Sequence, residues 1–180
     1  MPTSDAPTQA RLRIRNVSTT GFEVGHVFAD GGTSGYPAMN LDYVAIEPGL
    51  YNVGGLRLEA RFVDTTRYQS KFGGASWGYM TWAGGSGATP AALTQIQTMA
   101  NEPAPDLLTR SRPWMPVAAA GISAAGGFFA LERDETTAGT IAAAERIAVR
   151  AISPGTATFN DNPANSVRSQ AILSADNITH

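Results

Sequence analysis

The chain has 180 residues and is 43% hydrophobic, enough for one domain or two small ones to bury a core without a disulfide or metal staple. A formal charge of −2 gives no electrostatic footprint for nucleic acid or anionic lipid, and the lack of Cys excludes disulfides, thiolate metal sites and a Cys nucleophile. Only 16% of residues are charged, against roughly 25% in an average soluble domain, while 19 Gly and 11 Pro favour short strands and many turns.

Residues 1–9 are polar, contain Pro2 and Pro7, and read as an extended arm. They have neither the basic start nor the apolar centre of a secretory signal, and no apolar run in the chain approaches the roughly 18 residues of a membrane-spanning helix. Residues 11–17 alternate Leu12 and Ile14 with Arg11, Arg13 and Arg15, which predicts a strand with the two aliphatic side chains turned inward. After Ser18-Thr19-Thr20-Gly21, residues 22–28 place Phe22, Val24, His26 and Phe28 on one face, so the two strands should form a hairpin. Asp30 to Pro37 is a loop by composition, and 41–47 reads as a strand closed by the turn signal Pro48-Gly49.

Leu56, Leu58, Ala60 and Phe62 alternate with Arg57, Glu59 and Arg61, predicting a strand whose leucine face is buried; Leu58→Asp should then be severely destabilising. The Gly-rich stretch 73–87 holds Trp77, Tyr79 and Trp82 around a predicted strand 78–83, in which Tyr79 and Trp82 fall on opposite faces. Residues 91–100 are ambiguous, with Leu93, Ile96 and Ala100 at helical spacing and Ala and Gln content that favours helix, while 140–151 look helical at Ala142 to Arg146 and alternate like a strand at Ile147, Val149 and Ala151.

An internal repeat decides between them. Val17-Ser-Thr-Thr-Gly21-Phe22-Glu-Val, followed by Asp42 to Gly49, matches Ile122-Ser-Ala-Ala-Gly126-Gly127-Phe128, followed by Glu145 to Gly155. Both copies run from a hydrophobe through a small polar turn, Gly-Phe, a strand and a polar loop to a strand ending in Pro-Gly. Since the first copy reads as strands, 145–153 should be a strand too.

These residues resemble the H-type lectin family and the related lectin-like modules of bacterial secreted proteins. The similar stretches are Pro90 with Leu93-Thr94-Gln95-Ile96-Gln97-Thr98, then 108–112, 126–131 and 145–155, with the first copy matching only the second half of the pattern over 11–49. The resemblance implies an antiparallel β-sandwich of H-type lectin-like architecture, sugar binding at the rim and association into trimers or larger rings, and it makes 91–98 a strand. It also implies an Arg on the strand before Gly-Phe, matched here by Arg110 and Arg112, and an aromatic or His residue shortly after the Phe. At that place the chain has Ala29-Asp30 in one copy and Asp134-Glu135 in the other, so the family's aromatic platform is missing from both.

Other chemistry is thin. Of the two histidines, His180 is the last residue and His26 shares a face with Phe22, Val24 and Phe28, which suits packing better than a catalytic triad. Glu132, Asp134 and Glu135 offer oxygen ligands for Ca²⁺ without the Gly-bearing loop of an EF-hand, and read as a solvated acidic edge. Gly84-Gly85-Ser86-Gly87 lacks the Lys and Ser/Thr of a phosphate-binding loop. Trp77, Tyr79, Trp82 and Trp114 are able to stack on a sugar face or to fill a core.

The organisation expected is an arm over 1–9, a partial first lectin-like unit over 10–55, a second unit over 56–155 and a tail over 156–180. No cofactor, metal or catalytic residue is assigned. The function expected is that of a non-enzymatic assembly protein of a virion or similar complex, such as a phage tail, fibre or capsid decoration subunit; the alternative is a secreted or surface carbohydrate-binding lectin. The expected partners are copies of itself, neighbouring structural subunits and a cell-surface glycan, with no nucleic acid and no membrane insertion, in a virion or extracellular setting. Contact residues for glycan or partner are Trp77, Tyr79, Trp82, Arg110, Arg112 and Trp114.

Overall fold

The computed structural model describes residues 10–28, 43–69, 76–101, 115–132, 141–158 and 166–169, and among them every regular element is a strand. β1 (Ala10–Arg15) and β2 (Glu23–Phe28) form the expected hairpin. β3 (Gly49–Val53) and β4 (Leu56–Thr65) are joined through Gly54-Gly55, both at positive φ (57° and 88°), as a two-residue turn matching strand twist requires. β7 (Ala91–Ile96) and β10 (Glu145–Ile152) complete an antiparallel sheet in the order β3-β4-β10-β7. In a second sheet, β9 (Gly126–Glu132) is paired with β8 (Val117–Ala120), β6 (Gly78–Thr81) and β5 (Tyr68–Gln69), antiparallel except at the two-residue β5. β11 (Gly155–Thr158) and β12 (Ser166–Ser169) pair separately. Among the described residues no helix is long and apolar enough to cross a membrane.

The core lies between the two larger sheets, as in a β-sandwich. One sheet contributes Ile96, Ile147, Val149 and Ala151, the other Met80, Phe129 and Leu131, and Trp82, Met115 and Ile141 close the ends. β10 shows why this segment is a strand despite its helix-forming alanines. Its burial alternates without a break, with Glu145, Ile147, Val149 and Ala151 inside, so period-two burial overrides local propensity. Residues 91–96 are likewise a strand, held by pairing with β10 from Ile96 opposite Ile147 to Ala91 opposite Ile152.

Four expectations need correction or narrowing. Residues 43–47 are not a strand, and Pro48-Gly49 opens β3 rather than closing one. In β1 the buried side chain is Arg13, at 1% exposure, with Ile14 only half-buried; the side chain of Leu12 lies outside the described residues. In β4 the inner side is that of Glu59. The register sets Glu59, Arg61 and Val63 opposite Ala151, Val149 and Ile147, on the side that faces the other sheet, where Glu59 is buried and Arg61 stays exposed; on the opposite side Leu56 and Ala60 are buried as expected, Leu58 is half-buried and Phe62 is 46% exposed. The polar face turns inward because the other sheet supplies its partners: both Glu59 carboxylate oxygens accept the Ala83 N–H at 2.9 Å, and the Arg61 guanidinium donates to the Thr81 carbonyl at 2.6 Å. Leu58→Asp therefore places a carboxylate on a half-buried outer face and not in the core. The predicted strand 78–83 stops at Thr81, and the predicted strand 108–112 lies outside the described residues.

The repeat is present in the backbone. Arg15 opposite Glu23 and Leu12 opposite His26 in the first hairpin correspond pair for pair to Ala120 opposite Phe128 and Val117 opposite Leu131 in the second. Both turns begin with a residue at positive φ, Asn16 at 52° and Gly121 at 56°. In both, a serine closes the loop in the same way: Ser18 N–H and Ser123 N–H donate to the carbonyls of Gly21 and Gly126 at 2.9 and 2.8 Å. Their hydroxyls donate to the same carbonyls and accept the N–H of Thr20 and Ala125.

The orientation of β4 is testable. Ile147→Ala should lose about 2–5 kcal/mol in a urea melt by opening a core cavity, whereas Phe62→Ala, removing an exposed ring that Arg146 stacks over at 4.4 Å, should lose less than about 1 kcal/mol.

Candidate functional site

Two places concentrate side chains whose disposition asks for a function: a buried polar cluster where β1 meets β10, and an aromatic surface on β6 and β9.

The cluster is built around Glu145, which is fully buried at the start of β10. Its carboxylate accepts the Thr98 hydroxyl, the Asn101 backbone N–H at 3.0 Å and the Asn101 side-chain amide at 2.8 Å. Arg13 reaches in from the first hairpin; its guanidinium donates to the Thr98 carbonyl at 2.6 Å and the Met115 carbonyl at 3.4 Å and lies 3.9 Å from Glu145. Asn101 in turn donates to the Ala143 carbonyl and accepts the N–H of Ala142 and Ala143. A charge buried this deeply is tolerated only when paired and hydrogen-bonded, and both conditions hold. The cluster is closed to solvent, so its chemistry is that of attachment: it fastens the first hairpin to the second unit.

The aromatic surface follows from two successive phenylalanines on one strand. Phe129 points into the core, 6.1 Å from Trp82, so Phe128 must point out. It meets Tyr79, directly opposite on β6, with ring centroids 4.8 Å apart and the rings tilted by 56°. Glycines lie beneath both rings: a Cβ on Gly126 would sit 2.7 Å from the Tyr79 hydroxyl, and one on Gly121 would sit 3.1 Å from the Phe128 ring. The rings therefore rest on bare backbone while remaining 52% and 41% exposed.

Of the residues singled out in the sequence, Tyr79 is on this surface and Trp77 is half-buried two residues before it, its carbonyl accepting from Arg67 at 3.1 Å. Trp82 is 4% exposed on the opposite face, its indole N–H donating to the Ser123 carbonyl at 2.8 Å, so it has no free ring face. Arg110, Arg112 and Trp114 lie outside the described residues, as do Asp134, Glu135 and the side chain of His26; Glu132 is half-buried at the end of β9. Among the described residues no group of three carboxylate or imidazole side chains is placed to hold a metal ion. Sequence reasoning missed Phe128, Arg13 and Glu145. The doubled phenylalanine was a usable signal for the first; nothing local marks the other two.

On the remaining described surface, Asp64 and Glu23 are each held by an arginine. Asp64 takes a two-pronged contact from Arg146, at 2.8 and 2.9 Å, which holds its carboxyl below the usual range. Glu23 is held low first by the Asn16 amide and then by Arg15.

Comparisons of this chain with protein-family models, curated proteins and solved structures return no match.

Glu145→Ala should cost about 3–5 kcal/mol in a urea melt by leaving Arg13 buried without its carboxylate, and the double variant Arg13→Met with Glu145→Leu should lose much less than the sum of the two single losses. A second expectation concerns Glu23. Its lowered carboxyl adds stability above the ordinary carboxylate range and loses it as pH falls through the lowered value. Asn16→Gly keeps the turn, as Gly121 does in the other hairpin, but removes the amide; the Glu23 carboxyl should then titrate closer to its usual range by NMR.

Proposed function

We propose that the chain is a non-enzymatic assembly subunit of a virion or similar supramolecular complex, such as a phage tail, fibre or capsid decoration protein, built on a lectin-like β-sandwich. The observation that supports this reading is that large apolar side chains stand exposed on both outer faces, on one of them beside the ion pair of Asp64 and Arg146. Phe62 and Leu93 stand 46% and 59% exposed on one sheet, and Tyr79 and Phe128 stand exposed on the other. Large apolar groups on both outer faces favour contact with other subunits over solitary existence in water. The low charge content fits the same reading, since few charges would have to be stripped of water in forming contacts.

The tilted Tyr79 and Phe128 pair favours a second reading, carbohydrate binding. A pyranose presents C–H groups to aromatic faces, and two rings fixed on glycine backbone lose little freedom when they are covered. The family-like positions for sugar contact are eroded in both copies, so this surface would bind sugar by stacking, at a place the resemblance does not assign.

Light scattering beside a glycan array separates the two. The assembly reading expects a homo-oligomer, a trimer or larger, with no glycan signal. A saturable glycan signal that disappears in Phe128→Ala would replace it with the second reading, and a monomer without glycan binding would overturn both.

A further inference from the structure

The glycine run after β6 lacks the residues of a phosphate-binding loop, yet one of its members makes room for a charge. A Cβ on Gly84 would overlap the Arg57 guanidinium and stand 3.0 Å from a Leu50 methyl. The side chain that Gly84 omits is thus replaced by an arginine head group. Arg57 shares its side of β4 with Glu59, two residues on, and Leu50 of β3 pairs directly with Glu59 on that side. With Trp82, Ser86 and Ser153 these residues line a groove between the β3 edge of the first sheet and the loop that follows β6. Leu50, 52% exposed, forms its rim.

The groove holds more donors than acceptors. Ser153 N–H donates to the Arg57 carbonyl, and the Ser153 hydroxyl accepts the Arg57 N–H, both at 2.8 Å. Ser153 is 8% exposed, and its hydroxyl keeps a proton to donate. The half-buried Arg57 adds a fork of N–H donors; among the described residues no acceptor takes one of them and no carboxylate pairs with the guanidinium. The carboxylate in the lining is already engaged: both Glu59 oxygens accept the Ala83 N–H at 2.9 Å, and Arg61 donates to one of them at 3.3 Å. The Trp82 indole donates to the Ser123 carbonyl, and the Ser86 hydroxyl to the carbonyls of Ala88 and Ala124. What is left over is donors, and most of them carry positive charge.

We propose that this groove binds the carboxylate of a small organic acid, with the Arg57 guanidinium and the Ser153 hydroxyl as donors and Leu50 as the wall for the acid's carbon body. The site is separate from the aromatic surface and does not depend on the assembly reading. A planar guanidinium fork matches the two oxygens of a carboxylate, and a charge-assisted pair of this kind is stronger than a neutral hydrogen bond. Glu59 sets the charge of the ligand. Its carboxylate lines the same groove and repels a doubly charged phosphate more strongly than a singly charged acid, which favours a monocarboxylate. Gly84 acts as a positioning residue: having no Cβ, it leaves the guanidinium its place in the groove.

NMR titration of the isotope-labelled full chain tests this with sodium propionate and sodium glucuronate as probes, and with propionamide and sodium chloride as controls. The expected result is a saturable shift of the Gly84, Gly85 and Ser153 amides and of the Arg57 side-chain N–H with a carboxylate, and none with propionamide or chloride. Saturation at lower concentration by propionate marks an aliphatic acid as the ligand, and by glucuronate a sugar acid. Arg57→Gln should weaken the binding by about tenfold or more. Gly84→Ala, at a position without positive φ, displaces only the end of a flexible side chain and should weaken it likewise. Far-ultraviolet circular dichroism checks that both variants fold; should Arg57→Gln not fold, Gly84→Ala and the propionamide control decide alone. The proposal is overturned if neither acid saturates, if propionamide or chloride gives the same shifts, or if the folded variants bind as the wild type does. None of these outcomes touches the assembly reading, since both variants should keep the wild-type mass in light scattering.

Discussion

The buried carboxylate of Glu145 is the constraint on which the arrangement of the two repeats depends. An ionised side chain with no exposed surface is admissible only if neighbouring groups replace the water it has lost. Thr98 and Asn101 supply hydrogen bonds from the segment after β7, and Arg13 supplies the countercharge from the first hairpin. Because Arg13 is also held by the carbonyls of Thr98 and Met115, the requirement of one carboxylate fixes where three separate parts of the chain must meet. An isolated two-stranded hairpin is marginal in water. The first hairpin is paired to no other strand among the described residues, and this polar attachment is the means by which it is secured.

The pairing also explains why the copies have diverged as they have. The position of Arg13 in the second hairpin is taken by Ala118, so the arginine of the ion pair belongs to the first copy and its carboxylate to the second. A second arginine at position 118 would have no carboxylate of its own, and a buried unpaired charge is more costly than the alanine found there. Divergence at these positions ties the two units into one structure.

Much of the fold could be read from alternation. The first hairpin, the outward Tyr79 against the inward Trp82, and the strands at 91–96 and 145–152 all follow from period-two patterning aided by the repeat. The strand at 145–152 was reached through a premise that fails, since its counterpart at 43–47 is irregular. The repeat holds best at the turns, where Asn16 and Gly121 adopt the same conformation, and less well at the strands that follow. What was not legible was the direction of burial. Alternation in β1 and β4 shows that two faces differ, but hydrophobicity alone chooses the wrong one as the inner face of β4 and hides the burial of Arg13. The polar face is buried because partners far along the chain satisfy it, Ala83 for Glu59 and Thr98 with Met115 for Arg13, and such partners have no local trace.

That orientation bears directly on function. A strand that turns Glu59 toward the other sheet presents the alternate side chains the opposite way, so the exposure of Phe62 follows from the same hydrogen bonds that admit Glu59 to the interior. The first hairpin repeats the logic: burying the Arg13 side against the second unit leaves Ile14 and Val24 facing away. In both places a polar interaction inside the chain determines which apolar surface is offered outside it. Polar interiors and apolar exteriors are therefore coupled here, and a substitution that weakened Glu59 or Glu145 would alter the apolar surface the chain presents as well as the stability of the fold.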